Sequence, residues 1–128
     1  MAKRILIIDD EMDTRRTLEK GLSAKGYSVT TARNGNDGIT SAKLDCPDLI
    51  ILDRVLGDML GEEVANELKG DPLTENIPII FLSVLFSKAD EAGRSYSFGC
   101  STIFSKPYDI EELVTAIEKL IGEKANVD

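Results

Sequence analysis

The sequence predicts an α/β protein with a single doubly wound parallel sheet. Five short apolar segments recur along the chain, and segments of helix length separate them. Three of the five are continuous runs of β-branched or aliphatic residues, as expected of parallel strands that are covered on both faces. Strands that alternate with helices imply right-handed crossovers within one sheet. The predicted strands cover residues 4–8, 27–31, 49–52, 79–82 and 102–104.

The spacing of apolar residues marks the helices with unequal strength. After the third strand, a stripe with a spacing of four residues predicts a helix, and its members are Leu60, Val64 and Leu68. The last helix has the clearest apolar face, with Asp109 in the N-cap position and Gly122 suited to its C-terminal end. The segment 88–98 is the weakest helix candidate because it carries few apolar residues.

Length and composition favour one domain. The 128 residues contain no Pro/Gly/Ser-rich linker, repeat or low-complexity segment. We therefore expect one domain over residues 1–122, followed by a short tail at 123–128. No apolar run is long enough to span a bilayer and no secretory h-region is present, so a cytoplasmic location is expected.

Charge and residue usage exclude several classes of function. With 23 acidic and 15 basic side chains the net charge is −8, so direct nucleic-acid binding by this chain is not expected. Histidine is absent, which excludes Ser-His-Asp and Cys-His nucleophile activation and His-ligated zinc. Cys46 and Cys100 share no metal or redox spacing and are expected to be reduced thiols in the core.

Polar residues stand where the predicted strands end. Asp9 and Asp10 follow the first strand, and Asp53 follows the third. Ser83 comes directly after the fourth strand, and Lys106 lies just beyond the fifth. Open α/β sheets bind ligands at the carboxyl ends of their strands, so these five residues are expected at one edge of the sheet.

The types of these residues indicate a magnesium and phosphoryl site. Carboxylates brought together repel one another and favour a bound cation. Oxygen ligands without histidine or thiolate suit a hard ion such as Mg²⁺. A nearby lysine ammonium and serine hydroxyl could bind an anion at the same place. Asp53 then becomes a candidate nucleophile toward phosphorus.

Four segments resemble one known family, the response-regulator receivers of two-component signalling (CheY-like domains). They are ILIIDDE at 5–11, DLIILD at 48–53, PIIFLS at 78–83 and FSKP at 104–107. The resemblance covers residues 3–122 and implies a flavodoxin-like (βα)5 fold with strand order 2-1-3-4-5. It also implies a signalling phosphoacceptor rather than an enzyme with a separate substrate. The implied donor is the phosphohistidine of a sensor histidine kinase or phosphotransfer protein.

The resemblance implies a role for each acidic residue. Asp53 would accept the phosphoryl group. Asp10 and Asp53 would ligate Mg²⁺ together with the backbone carbonyl of Val55, and Asp9 would hold a metal-bound water.

The resemblance also implies a switch. Lys106 would pair with the phosphoryl group, and Lys106–Pro107 would be a cis peptide. Ser83 would move to donate a hydrogen bond to the phosphoryl group. Ile103 departs from the family pattern, since an aromatic residue that rotates inward usually occupies this position.

The loop after the third strand departs from the family pattern as well. Gly57 replaces the usual proline, and Leu60-Gly61 replaces the usual Asp-Gly pair. We expect the loop to remain a tight turn, with more backbone freedom at Gly57 than proline would allow.

Two other functions stay open. One is a receiver-shaped interaction module that is never phosphorylated, which the departure at Ile103 favours and the complete polar set disfavours. The other is an aspartyl-phosphate phosphatase, which needs a second Asp two residues after the nucleophile, where Val55 stands. The sequence leaves open the output process, any further domain and the formation of a homodimer.

Overall fold

Five parallel strands form the sheet of this protein within residues 2–84, 102–106 and 109–122, which are the residues that the computed structural model describes. Side chains are described for all of these residues except 83–84 and 102–106. The strand order is β2-β1-β3-β4-β5, and every neighbouring pair is parallel. The fold class and strand order are therefore confirmed, and the predicted strand bounds differ from the observed ones by at most two residues. The strands are β1 (Arg4–Ile8), β2 (Ser28–Ala32), β3 (Leu49–Asp53), β4 (Ile79–Val84) and β5 (Thr102–Lys106).

Within the described residues, four helices cover the two faces of the sheet. They are α1 (Met12–Ala24), α2 (Gly35–Asp45), α3 (Gly61–Lys69) and α4 (Ile110–Ile121). Helices α2 and α3 pack on one face, and α1 and α4 pack on the other. The helix predicted at 88–98 and the tail predicted at 123–128 lie outside the described residues. None of the four described helices combines the length and the apolarity that crossing a membrane requires.

Alternate residues of the central strands fill two separate cores. In β1, Leu6 and Ile8 pack with α2 and α3, whereas Ile5 and Ile7 pack with α1 and α4. All four side chains are at most 1% exposed, and burial of each contributes about 1.5–3 kcal/mol. Because both faces of the sheet are covered, apolar residues are needed at every position. This requirement explains the continuous apolar runs in the sequence.

The helix ends follow the sequence signals in α4 and depart from them in α3. Asp109 caps α4 by accepting a hydrogen bond from the Glu111 backbone N–H at 2.8 Å, and Gly122 ends the helix with φ of 84°. Leu60, predicted to belong to the apolar stripe of α3, is instead the residue before the helix and is 51% exposed. It cannot cap the helix as Asp would. The Glu63 carboxylate instead accepts a hydrogen bond from the Leu60 backbone N–H at 2.8 Å.

Cys46 is not the core thiol that the sequence predicted. It is exposed at the C-terminal end of α2, where it takes a left-handed backbone conformation with φ of 46°. This residue lies between α2 and β3, and its thiol donates to the carbonyl oxygens of Lys43 and Leu73 at 3.8 and 3.7 Å. Cys100 lies outside the described residues.

Tyr27 offers a test of packing in the core shared by α1 and α4. Its ring is 4% exposed, and its hydroxyl has no hydrogen-bond partner among the residues that the structure describes. Burial, with a smaller effect from Glu118, raises the pKa of the Tyr27 hydroxyl. Removing a buried polar group that lacks a partner costs little, so Tyr27→Phe is expected to leave stability unchanged or raise it by about 1 kcal/mol. Urea unfolding measures the effect, and a loss of stability in Tyr27→Phe would show that the hydroxyl is hydrogen-bonded.

Candidate functional site

Three carboxylates meet at the carboxyl edge of the sheet. Asp9 and Asp10 follow β1, and Asp53 is the last residue of β3. The two strands are neighbours, with Ile8 paired to Leu52. Each Asp contributes a carboxylate oxygen to a group in which all three oxygens lie within 4.8 Å of one another. The structure thus brings the three acidic residues together as the sequence predicted.

The three carboxylates differ in their access to solvent. Asp9 is only 1% exposed, whereas Asp53 is half-buried and Asp10 is exposed. Hydrogen bonds hold Asp9 in place: its carboxylate accepts from the Glu11 backbone N–H at 2.9 Å, its carbonyl accepts from the Arg15 guanidinium at 2.7 Å, and its N–H donates to the Ala32 carbonyl at 3.1 Å. Asp10 and Asp53 therefore form the open side of the cluster, where an ion or a phosphoryl group can approach.

The cluster is suited to a hard divalent cation. At 4.8 Å two carboxylates repel by about 1–3 kcal/mol for effective dielectric constants between about 80 and 20, and a cation between them would remove this cost. Oxygen ligands with an open, hydrated side are what Mg²⁺ prefers. The chemistry of these residues therefore fits the ion that the sequence predicted.

The loop between β3 and α3 is a tight hairpin, as expected despite Gly57. The Gly61 backbone N–H donates to the Arg54 carbonyl at 2.7 Å, and the Leu56 N–H donates to the Met59 carbonyl at 3.2 Å. Between these bonds Val55 and Leu60 form an antiparallel bridge. In such a pair the flanking residues make the hydrogen bonds, so the Val55 carbonyl faces away from Leu60 and takes no part in these two bonds of the hairpin.

The base of the hairpin carries an ion pair beside Asp53. The Arg54 guanidinium donates through Nε and Nη2 to one Glu62 oxygen, at 3.1 and 2.9 Å. Both side chains are about a third exposed, so the pair adds little stability. The ion pair holds the Arg54 guanidinium, which follows Asp53 in the chain, against the first turn of α3.

Ser83 and Lys106 lie at the same edge by the register of their strands. Asp53 pairs with Leu82, so Ser83 is one position further along β4. Lys106 pairs with Val84 and is the last residue of β5. Since neighbouring strands are about 5 Å apart, β5 lies about 10 Å from β3, a distance that a lysine side chain can largely bridge. Their side chains lie outside the described part of the structure.

The predicted switch is located only in part. Ile103 lies in β5 and pairs with Phe81 of β4, without a described side chain. Pro107 lies outside the described residues, so the cis Lys106–Pro107 peptide stays a prediction.

Sequence reasoning missed Asp58 at the tip of the hairpin. Its two carboxylate oxygens accept hydrogen bonds from the backbone N–H groups of Gly35 and Asn36, at 2.8 and 3.0 Å. These are the first residues of α2, more than 20 positions earlier in the chain. No local spacing rule connects residues that far apart, so this contact could not have been read from the sequence.

Comparisons with known proteins agree with this arrangement. The family model named response regulator receiver domain matches residues 5–118. The response regulator PleD of Caulobacter vibrioides is 34% identical over all 128 residues, which are 28% of the length of PleD. Sporulation initiation phosphotransferase F of Bacillus subtilis is 32% identical over 126 residues, or 98% of this chain and 99% of that protein.

A solved structure shows the same fold. The receiver domain of a sensor histidine kinase from Pseudomonas aeruginosa, which has a magnesium ion coordinated in its active-site cleft, superposes with a TM-score of 0.83. It is 24% identical, and the match covers 96% of this chain and 100% of that one. With a family match across most of its length and a relative of the same size at 32% identity, this chain belongs to the family of response regulator receiver domains.

Proposed function

We propose that the chain is a phosphoacceptor in which Asp53 takes a phosphoryl group from a phosphohistidine with the help of Mg²⁺. The observation that carries the proposal is the cluster of Asp9, Asp10 and Asp53, whose oxygens lie within 4.8 Å of one another. Asp53 is half-buried and stands on the open side of this cluster. A carboxylate held this way is both reachable by a donor and close to the metal site that phosphoryl transfer needs.

In the proposed step a carboxylate oxygen of Asp53 attacks phosphorus in line with the donor nitrogen. The P–N bond of the phosphohistidine breaks, the O–P bond of an acyl phosphate forms, and the imidazole leaves with the bonding pair. Asp10, Asp53 and the Val55 carbonyl would hold Mg²⁺, and Asp9 would hold one of its waters. When bound, the ion would neutralise charge on the phosphoryl oxygens.

The remaining proposed roles belong to residues at the ends of β4 and β5. Lys106 would pair with the phosphoryl group as a point charge. Ser83 would donate a hydrogen bond to it and so shift the end of β4. Without an aromatic residue at Ile103, the signal would depend on this shift alone.

The relatives support the kind of partner. A protein named sporulation initiation phosphotransferase F matches the chain over 99% of its own length. We therefore propose a sensor histidine kinase or phosphotransfer protein as the donor, acting in the cytoplasm, and self-catalysed phosphorylation rather than turnover of a separate substrate. The chain spans only 28% of the length of PleD, so no output of that longer protein is proposed for this chain.

The test is phosphorylation by acetyl phosphate, followed by intact-mass measurement. The full chain with Mg²⁺ is expected to gain one phosphoryl group, and removal of Mg²⁺ with EDTA is expected to prevent the gain. Asp53→Asn should gain none, whereas Asp45→Asn, which removes an exposed carboxylate elsewhere, should behave as the wild type.

Two outcomes would contradict the proposal. An unmodified wild-type protein would favour the interaction module that is never phosphorylated. A phosphoryl group that persists in Asp53→Asn would place the acceptor at another residue.

A further inference from the structure

The tip of the β3–α3 hairpin is fastened to the start of α2. The first four N–H groups of a helix lack partners within the helix, and at the start of α2 two residues satisfy three of them. Asn34 accepts from the Asp37 N–H at 2.8 Å. Asp58, from the hairpin, accepts from Gly35 and Asn36. Helix α2 is thus capped both by its own preceding residue and by a distant loop.

The Asp58 carboxylate is bound there as an anion. The hydrogen bonds from Gly35, and then from Asn36, hold the pKa of Asp58 below its usual value. The positive end of the helix dipole favours the same charge. The contact is therefore present in full at neutral pH.

A second contact at the tip comes from Met59. A Cβ atom placed on Gly35 would lie 2.5 Å from the Met59 sulfur, so the absence of a side chain at Gly35 is what admits Met59. Gly57, on the other side of Asp58, has no atom of the described chain within 4 Å of the position a Cβ would take. The tip is therefore held through Asp58 and Met59 and not through Gly57.

The hairpin links this anchor to the candidate metal site. Asp58 follows Val55 by three residues, and the bond between Leu56 and Met59 closes the turn between them. A glycine at position 57 leaves the backbone without the restraint on φ that proline would supply. The hydrogen bonds that Asp58 accepts from the start of α2 can restrain the loop instead.

We propose that Asp58 is a positioning residue for the metal site: by fastening the hairpin to α2, it holds the Val55 carbonyl where Mg²⁺ needs it. The inference rests on the proposed function, since it takes that carbonyl as a metal ligand. Asp58 itself touches neither the ion nor the phosphoryl group in this scheme.

The test measures the Mg²⁺ dissociation constant of the full chain by isothermal titration calorimetry. Asp58→Ala is expected to raise this constant about 10-fold, the lower end of what loss of an outer support costs a metal site. Asn34→Ala is the matched control, because it removes the other cap of the same helix end and leaves the hairpin anchored. Both variants should lower the melting temperature by a similar amount, whereas only Asp58→Ala should weaken Mg²⁺ binding.

Partial rescue separates positioning from general destabilisation. Asp58→Asn keeps one acceptor oxygen and is expected to bind Mg²⁺ with a constant between those of the wild type and Asp58→Ala. Equal Mg²⁺ dissociation constants in the wild type and Asp58→Ala would overturn this inference but not the proposed function. A rise of the same size in Asn34→Ala would also overturn it, since helix stability would then explain the effect. A wild type that binds no Mg²⁺ would overturn the metal site of the proposed function together with the inference.

Discussion

Gly61→Ala is expected to destabilise the protein by about 3 kcal/mol, because the added methyl group would overlap backbone that cannot move aside. A Cβ atom on Gly61 would lie 2.5 Å from the Asp53 carbonyl oxygen and 2.9 Å from the Arg54 Cα, with the Phe81 ring at 3.2 Å. Urea unfolding followed by circular dichroism measures the loss.

The same overlap should reach the acidic cluster. The carbonyl that the new methyl group would displace belongs to Asp53, the residue proposed to accept the phosphoryl group. Gly61→Ala is therefore expected to slow phosphorylation by acetyl phosphate even where the protein remains folded.

Gly57→Ala is the matched control for this prediction. It makes the same chemical change in the same hairpin, at a position with open space in the described structure. Replacing a glycine by alanine without strain restricts the unfolded chain and stabilises by about 0.4–1 kcal/mol. Equal free energies of unfolding for the two variants would contradict the close approach of Gly61 to the Asp53 backbone.

Asp10→Asn is expected to have opposite effects on stability and on metal binding. In the metal-free protein it removes repulsion within the cluster, where oxygens lie within 4.8 Å. Because Asp10 is exposed and partly screened by solvent, the gain should be about 1 kcal/mol, the lower end of the Coulomb range. The same change alters a proposed ligand, which should cost at least as much as the loss of an outer support, so the Mg²⁺ dissociation constant should rise by about 10-fold or more.

Asp13→Asn provides the control for Asp10→Asn. Asp13 is an exposed carboxylate in the first turn of α1, close in sequence but outside the cluster. Its loss should lower stability by a few tenths of a kcal/mol through the helix dipole and leave Mg²⁺ binding unchanged. A metal-free Asp10→Asn protein that is less stable than the wild type would show that the three carboxylates do not repel as proposed.

The sequence was sufficient for the features that depend on neighbours along the chain. The strand at 49–52 was recognisable because a parallel strand covered on both faces must be apolar at every position. Asp109 was recognisable as a cap because capping acts over three residues. Asp9, Asp10 and Asp53 are far apart in the sequence, but each is recognisable locally as the end of a strand, and the carboxyl ends of parallel strands share one edge of a sheet.

Features that depend on where a residue lies relative to distant parts of the chain were not predictable. Cys46 and Leu60 have apolar side chains, yet both are exposed, because Cys46 directly follows α2 and Leu60 directly precedes α3. The spacing of apolar residues predicts whether a segment is a helix or a strand, but it does not predict how deeply the residues at its ends are buried.

By itself, then, the sequence determined the doubly wound sheet and the gathering of three acids at its carboxyl edge, since periodicity and strand ends are local properties. Only the tertiary structure decided how that edge is supported. Gly61 packs against the Asp53 backbone, and Asp58 accepts hydrogen bonds from a helix that begins more than 20 positions earlier in the sequence. The physical reason is that a close backbone approach and a cap from a distant loop both require the chain to be folded before the partners meet.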